Sequence, residues 1–378
     1  VPVTSDAFPT EPDVVLLNHA SFGVPTNRMM AFADEVRRRI ERDAEHLLAG
    51  GLAEELRGAV RAVAQFLGSR PEASALTLNA TEAASAVAAS LGRQPGVRVA
   101  MADTEYPSVL DAWRIETAAH GGTLQLVRLD LPCASPDDVR AAFECQVDGG
   151  VDVVVTSLIT SPTALLLPVA QVAEWAASRG AITVVDAAHG PGHVEFRVDE
   201  LGAAVVYGTL HKWLPVPRPL GFLYADDAVR DDIRPATVAL HRDEGLAERF
   251  LWRGTWDPAP ALCFSAALDE WRTWHTDGSL DRAEAMANVL AERLTGCGLD
   301  PTGGAELLAP RLRGFVVPHL SEDELRRMLG EARVRAWTGT SPSGRTLLRV
   351  ATHVFTVDDD VERLVQVVGS QPGRPATR

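Results

Sequence analysis

Lys212 is the only lysine among the 36 lysine and arginine residues of a 378-residue chain, although lysine is normally one of the commonest residues. Arginine can replace it wherever only a positive charge is wanted, but a guanidinium stays protonated and is no amine nucleophile. The task that demands lysine is covalent amine chemistry, chiefly a Schiff base to a carbonyl cofactor or substrate. Codon bias with one accidental survivor is the plain alternative. The neighbourhood Gly208-Thr209-Leu210-His211-Lys212-Trp213 weighs against it.

Pyridoxal phosphate chemistry needs an amine for the aldehyde, an anion facing the pyridine nitrogen, an anchor for the phosphate and a platform for the ring. Asp186 closes the apolar run Ala181–Val185 and is followed by Ala187-Ala188-His189-Gly190. A carboxylate there can pair with a protonated ring nitrogen, each charge favouring the other by roughly 1–3 pKa units. Ala80 and Thr81, in Asn79-Ala80-Thr81-Glu82, open an alanine-rich helical run. Small residues at a helix start let backbone N–H groups approach a phosphate, although threonine with glutamate close behind is also ordinary capping. Thr209 and His211 are further phosphate candidates, and Tyr106 is placed to stack on a ring.

These residues need a scaffold that brings them to one edge. Short β-branched runs at Val97–Ala102, Leu124–Leu129, Val151–Leu158, Ile182–Asp186, Ala203–Tyr207 and Gly221–Tyr224 alternate with helical stretches at Ser108–His120, Pro136–Cys145 and Val169–Arg179. This predicts an α/β domain with a mostly parallel sheet and a ligand beyond the carboxyl ends of its strands. Tyr106, Ser161, Asp186, His189 and Lys212 each fall at such an end or shortly after it. Asp226–Pro258 reads as a less regular crossing. Beyond it, helices at Ala261–His275, Ser279–Leu294 and Val357–Val368 and strands near Leu312–Val317 and Leu347–Ala351 predict a smaller α+β domain. The tail Gly369–Arg378, with two prolines, reads as disordered.

A formal net charge of −15 and the lack of a Lys/Arg cluster argue against a nucleic-acid partner. The most apolar stretch, Val151 to Ala177, is interrupted by polar residues and prolines, so no membrane span is expected. Val1 to Thr10 shows no signal-peptide pattern. Cys133, Cys145, Cys263 and Cys297 have neither metal-site nor disulfide spacing. They suit a reducing cytoplasm, and no metal is expected.

Together these motifs resemble the class V aminotransferase family of fold-type I pyridoxal phosphate enzymes, within it the isopenicillin N epimerase-like subgroup. The resemblance runs from Leu17-Asn18-His19-Ala20-Ser21-Phe22-Gly23 to Leu348-Arg349-Val350-Ala351-Thr352-His353. It implies a cleft-lining N-terminal segment (1–50), a large cofactor domain (51–258) and a small C-terminal domain (259–378). It further implies that Lys212 holds the cofactor, Asp186 pairs with the pyridine nitrogen, Tyr106 stacks on the ring, and His189 lies near the phenolic oxygen. Arg349 would grip the substrate α-carboxylate, with Asn18, His19 and Ser21 lining the cleft. Arg253-Gly254-Thr255 would reach the phosphate of a neighbouring subunit, implying a homodimer with shared active sites. Two departures stand out. Ser161 occupies the place of an asparagine that many relatives carry near the ring oxygen, and no cysteine follows Cys297, which argues against a cysteine desulfurase.

The expected reaction is C–S β-elimination from a cysteine S-conjugate, a sulfoxide of ergothioneine biosynthesis being the most specific version. The arginine- and alanine-rich composition resembles high-GC actinomycete chains, whose relatives of this kind serve antibiotic, specialised-metabolite or thiol pathways. Decarboxylating oxidative deamination to an aldehyde, epimerisation, transamination and a non-catalytic binding role remain as alternatives.

Overall fold

The computed structural model describes residues 5–238 and 244–369. Its centre is a seven-stranded sheet. The strands are β1 (Ser74–Thr77), β2 (Arg98–Ala102), β3 (Thr123–Val127), β4 (Val153–Ser157), β5 (Ile182–Asp186), β6 (Val205–Thr209) and β7 (Gly221–Ala225). Their order across the sheet is β1-β7-β6-β5-β4-β2-β3. β7 runs antiparallel to both its neighbours, and the other pairs are parallel. Every residue of β4, β6 and β7 is buried. Burial on both faces is why these strands read as nearly continuous apolar runs rather than alternating ones.

Between strands, helices start where the sequence supplies caps. Pro107 and Pro136 sit at the first helical positions of Pro107–Ala119 and Pro136–Gln146, where the missing N–H costs nothing. Asn79 caps Ala80–Leu91 by accepting from the Glu82 N–H at 2.9 Å. That helix packs its alanine-rich face against the sheet.

The C-terminal part holds a second, four-stranded antiparallel sheet made of β8 (Asp300–Pro301), β9 (Leu312–Val316), β10 (Trp337–Thr340) and β11 (Thr346–Ala351). The N-terminal chain joins this region. Val15 and Leu16 pair in parallel with Val334 and Arg335, and the Ala351 N–H donates to the Leu17 carbonyl at 2.8 Å. Asn18 to Phe22 are thereby fixed beside the end of β11.

Several expected elements shift or divide. Asp226–Pro258 contains a helix, Leu246–Leu251, and the helix read over Ala261–His275 is two, Ala259–Leu262 and Phe264–Thr276. The disorder expected of the tail falls on residues 370–378, outside the described residues, as do Val1 to Thr4.

Candidate active site

Lys212 follows β6 by three residues, on the turn that leads into the buried Trp213. Its amine lies 3.4 Å from His189 Nε2. Burial lowers the Lys212 pKa to about 8, opposed by the nearby Asp186 and assisted by Arg349. Roughly a tenth of this amine is therefore unprotonated at pH 7, hundreds of times more than for an ordinary lysine, which favours its use as a nucleophile or proton acceptor.

Asp186 ends β5 and pairs in register with Ser157 on β4 and Tyr207 on β6. One of its oxygens accepts from the Ala188 N–H at 2.7 Å. Burial raises its pKa to about 6, while the Ala188 bond and the Lys212 charge oppose that rise. His189 is 1% exposed and its Nδ1 has no hydrogen-bond partner. Its pKa is pushed well down by burial and the surrounding cations.

The phosphate candidates meet at one end of the sheet. Thr77 of β1, Gly221 of β7 and Thr209 of β6 lie in one register row. A Cβ on Gly221 would come within 2.6 Å of Thr77 Oγ1 and 2.9 Å of the Asn79 Cα. This close approach sets the helix start at Ala80 and Thr81 beside the ends of β7 and β6, the latter three residues before Lys212. Thr81 is exposed there. One candidate requires correction. The Thr209 hydroxyl is spent on the Ala188 carbonyl at 2.9 Å, because its strand end is buried and that carbonyl needs a donor. His211 directs Nδ1 to the backbone of Leu220, 2.8 Å from its carbonyl, leaving only its far nitrogen for another group.

Arg349, 2% exposed, projects from β11 of the second sheet and lies near enough to Lys212 and His189 to lower their pKa values. One terminal nitrogen donates to Ser161 O (2.6 Å) and Ser161 Oγ (3.0 Å), and the other to Asn18 Oδ1 (3.1 Å) and Ser21 Oγ (2.8 Å). Ser21 in turn donates to Asn18 Oδ1 at 2.7 Å. The guanidinium lies over the Trp337 ring, 5.2 Å from its centroid. Four residues widely separated in sequence thus form one polar cluster. Ser161 belongs to this arginine cluster, so its expected place at a cofactor ring oxygen is a second correction. Tyr106, 47% exposed, precedes Pro107 and lies near enough to Arg349 to favour its charge.

His19 is placed differently from Asn18 and Ser21. Its ring is 2% exposed and packs edge-on against Trp213 (4.6 Å) and His353 (4.5 Å), with no partner on either nitrogen. It supports the lysine turn from below and does not line the cleft. Arg253 also departs from expectation. It turns inward, donating to Glu82 at 2.7 Å and to the Leu76 and Phe250 carbonyls at 2.7 Å. Thr255, two residues on, is exposed.

Three features escaped the sequence. Gly23, at φ +71°, presses on the lysine turn so closely that a Cβ would lie 1.5 Å from the His211 carbonyl oxygen. Its place in Ser21-Phe22-Gly23 was the available signal. His193 stacks on Trp213 at 3.7 Å and the Arg311 guanidinium lies 5.2 Å from the same ring. Glu105, next to Tyr106, is a buried carboxyl bonded to Ser157.

The donor set fits pyridoxal phosphate: an amine of lowered pKa, a carboxyl at a buried strand end, an unpartnered imidazole nitrogen and a helix start built of small residues. The comparisons agree. The family model for aminotransferase class V matches residues 23–364. This chain belongs to the class V aminotransferase family. Its cofactor is pyridoxal 5'-phosphate. Over 95% of each chain it is 29% identical to an isopenicillin N epimerase of Amycolatopsis lactamdurans. It is 25% identical to a probable chloroplastic L-cysteine desulfhydrase of Arabidopsis thaliana, over 68% of this chain and 58% of that one. The fold superposes on the apo cysteine desulfurase of Thermococcus onnurineus NA1 with a TM-score of 0.80, covering 96% of both chains at 20% identity. This confirms the expected fold, a large, mostly parallel sheet with a smaller C-terminal sheet. Among the described residues no helix is long and apolar enough to cross a membrane.

Proposed function

We propose that this enzyme breaks the C–S bond of a cysteine S-conjugate by β-elimination. The observation that carries the reading is the Lys212 amine, with a pKa of about 8, beside His189 and between Asp186 and Arg349. The four cysteines of the chain are Cys133, Cys145, Cys263 and Cys297. Cys133 and Cys263 are buried with thiols of raised pKa. The desulfhydrase similarity supports the same class of reaction.

Bound pyridoxal phosphate draws electrons from the bonds to the amino acid's α-carbon. Lys212 and Asp186 would hold it, with His189 on the side of its phenolic oxygen and Tyr106 as the platform for its ring. Ala80, Thr81 and His211 would receive the phosphate, together with Thr255 of a second copy if the enzyme acts as a homodimer. Arg349 grips the α-carboxylate through its planar fork, and Asn18 and Ser21 orient it. Set free when the substrate's amine takes its place, the Lys212 amine would take the Cα proton. Its conjugate acid then stands ready to protonate the departing sulfur.

Epimerisation is the second reading, favoured by the whole-chain similarity to isopenicillin N epimerase. One product assay on cysteine S-conjugates separates the two. Pyruvate, ammonia and a free thiol or sulfenic acid support the lyase. Deuterium incorporated from solvent at Cα, with no other product, identifies an epimerase and defeats the lyase reading.

A further inference from the structure

Glu105 is 2% exposed and sits between the end of β2 and the ring-stacking candidate Tyr106. Both its oxygens are committed to one residue. The Ser157 N–H donates to Oε1 at 2.7 Å, and the Ser157 hydroxyl lies 2.6 Å from Oε2. Ser157 ends β4, and its register partner on β5 is Asp186, whose partner on β6 is Tyr207. Paired positions in a sheet carry their side chains on the same face, with Cβ atoms roughly 5 Å apart. Glu105 therefore anchors the chain just before Tyr106 to the strand that flanks Asp186.

We propose that Glu105 is a positioning residue for the cofactor ring, an uncharged strut that fixes Tyr106 relative to Asp186 and leaves Asp186 as the charge facing the pyridine nitrogen. The inference rests on the site assignment above. Two neighbouring buried carboxyls resist being ionised together, so the environment decides which one keeps the proton. Asp186 has the Lys212 charge and the Ala188 N–H to favour its anion. Glu105 faces Ser157 from β4, Asp186 from β5 and Tyr207 from β6, and no salt bridge reaches it among the described residues. Burial drives its pKa to about 8, with the Ser157 bonds opposing and Asp186 adding to the rise. A protonated Oε2 donates to Ser157 Oγ at the same separation, so the strut persists without charge. On the far side of Tyr106, Pro107 begins a helix, and the platform residue is held from both sides.

The test uses the full chain reconstituted with pyridoxal phosphate and the variants Glu105→Gln, Glu105→Ala and Ser157→Ala. Glutamine reproduces the neutral acid, accepting from the Ser157 N–H and donating to its hydroxyl. Glu105→Gln is expected to leave the pH midpoint of the visible lysine-bound band within about half a unit of wild type. Loss of a carboxylate charge so close would instead lower it by roughly 1–3 units. Glu105→Ala is expected to weaken cofactor binding about tenfold, as loss of a buried hydrogen-bonded pair does, and glutamine restores it. Ser157→Ala, which removes one bond of the pair, weakens binding about threefold and decides the matter if the alanine variant at 105 fails to fold. A midpoint that falls by a unit or more in Glu105→Gln overturns the inference alone. So does wild-type cofactor affinity in both alanine variants. A wild-type chain with no lysine-bound band overturns the site assignment and this inference with it.

Discussion

At the Lys212 end of the site polar side chains outnumber their partners, whereas at the Arg349 end both terminal guanidinium nitrogens are already bonded to protein oxygens. His189 Nδ1 and Tyr207 Oη are buried without partners around Asp186 and Lys212. Unpaired buried groups are expensive, at about 1–3 kcal/mol each. Such a cost is tolerated where another group supplies the bonds, as a permanently held cofactor does. A transient substrate is met differently. Asn18, Ser21 and Ser161 keep the Arg349 charge solvated in the interior, and an arriving carboxylate replaces neutral oxygens with a charged one. On the proposed function, the first end would hold a permanent tenant and the second an exchanging one.

That division predicts that the two ends separate under mutation. Asp186→Asn carries the largest effect, because a neutral amide cannot sustain a pyridinium. Turnover is expected to fall at least about a hundredfold, with cofactor affinity falling alongside it in equilibrium titration. Arg349→Lys is expected to cut kcat/KM about 30-fold to 100-fold, chiefly through KM, because an ammonium cannot make the forked contact. Its cofactor affinity stays at the wild-type value, and a parallel loss of cofactor would erase the distinction between the two ends.

Gly23 joins the ends, and Gly23→Ala should damage both. Its Cβ would overlap the His211 carbonyl from a left-handed backbone position, and the expected loss of stability is roughly 1–3 kcal/mol, read by denaturant titration. Ser21→Ala is milder, since one neutral hydrogen bond is worth about 0.5–1.5 kcal/mol. It should raise KM less than about tenfold and leave the visible spectrum unchanged.

The smallest effect is on pH dependence. His353, lowered to about 3, and His211, lowered to about 4, are buried and neutral. In the unfolded chain they take up protons below about 6.5. Their contribution to stability is therefore present above that value and lost as pH falls toward their folded pKa values. Glu105 works in the other direction. Its stabilising contribution is complete below the unfolded glutamate value near 4.5 and is lost as pH rises toward about 8. Thermal unfolding of the cofactor-free chain should show the acid-side loss unchanged in Arg349→Lys, and the alkaline-side loss reduced in Glu105→Gln, with the share from Asp186 remaining.

What the sequence made legible follows from the parallel sheet. Asp186, His189 and Lys212 stand at or just after apolar runs, so their places at the carboxyl ends of strands could be read locally. Arg349 could be read only through its motif, because among so many arginines nothing local distinguishes it. Glu105 could not be read at all. In Asp103-Thr104-Glu105-Tyr106 it looks like one more polar turn residue, and its burial depends on Ser157, 52 positions away. The fate of the Thr209 hydroxyl likewise depends on a carbonyl 21 residues upstream. Strand β1 passed unread because four residues at a sheet edge give too short a period to recognise. His19 shares its motif with Asn18 and Ser21, yet the one-turn helix His19–Phe22 rotates it inward onto Trp213.

The central claim is that Lys212 carries the cofactor, and the composition makes it unusually easy to test, since the chain has no other lysine. Borohydride reduction of the cofactor-loaded enzyme followed by peptide mass mapping should abolish the visible band and place one pyridoxyl group on the peptide containing Lys212. A pyridoxyl group recovered only on the N-terminal amine, or a loaded enzyme with no reducible band, would contradict the account.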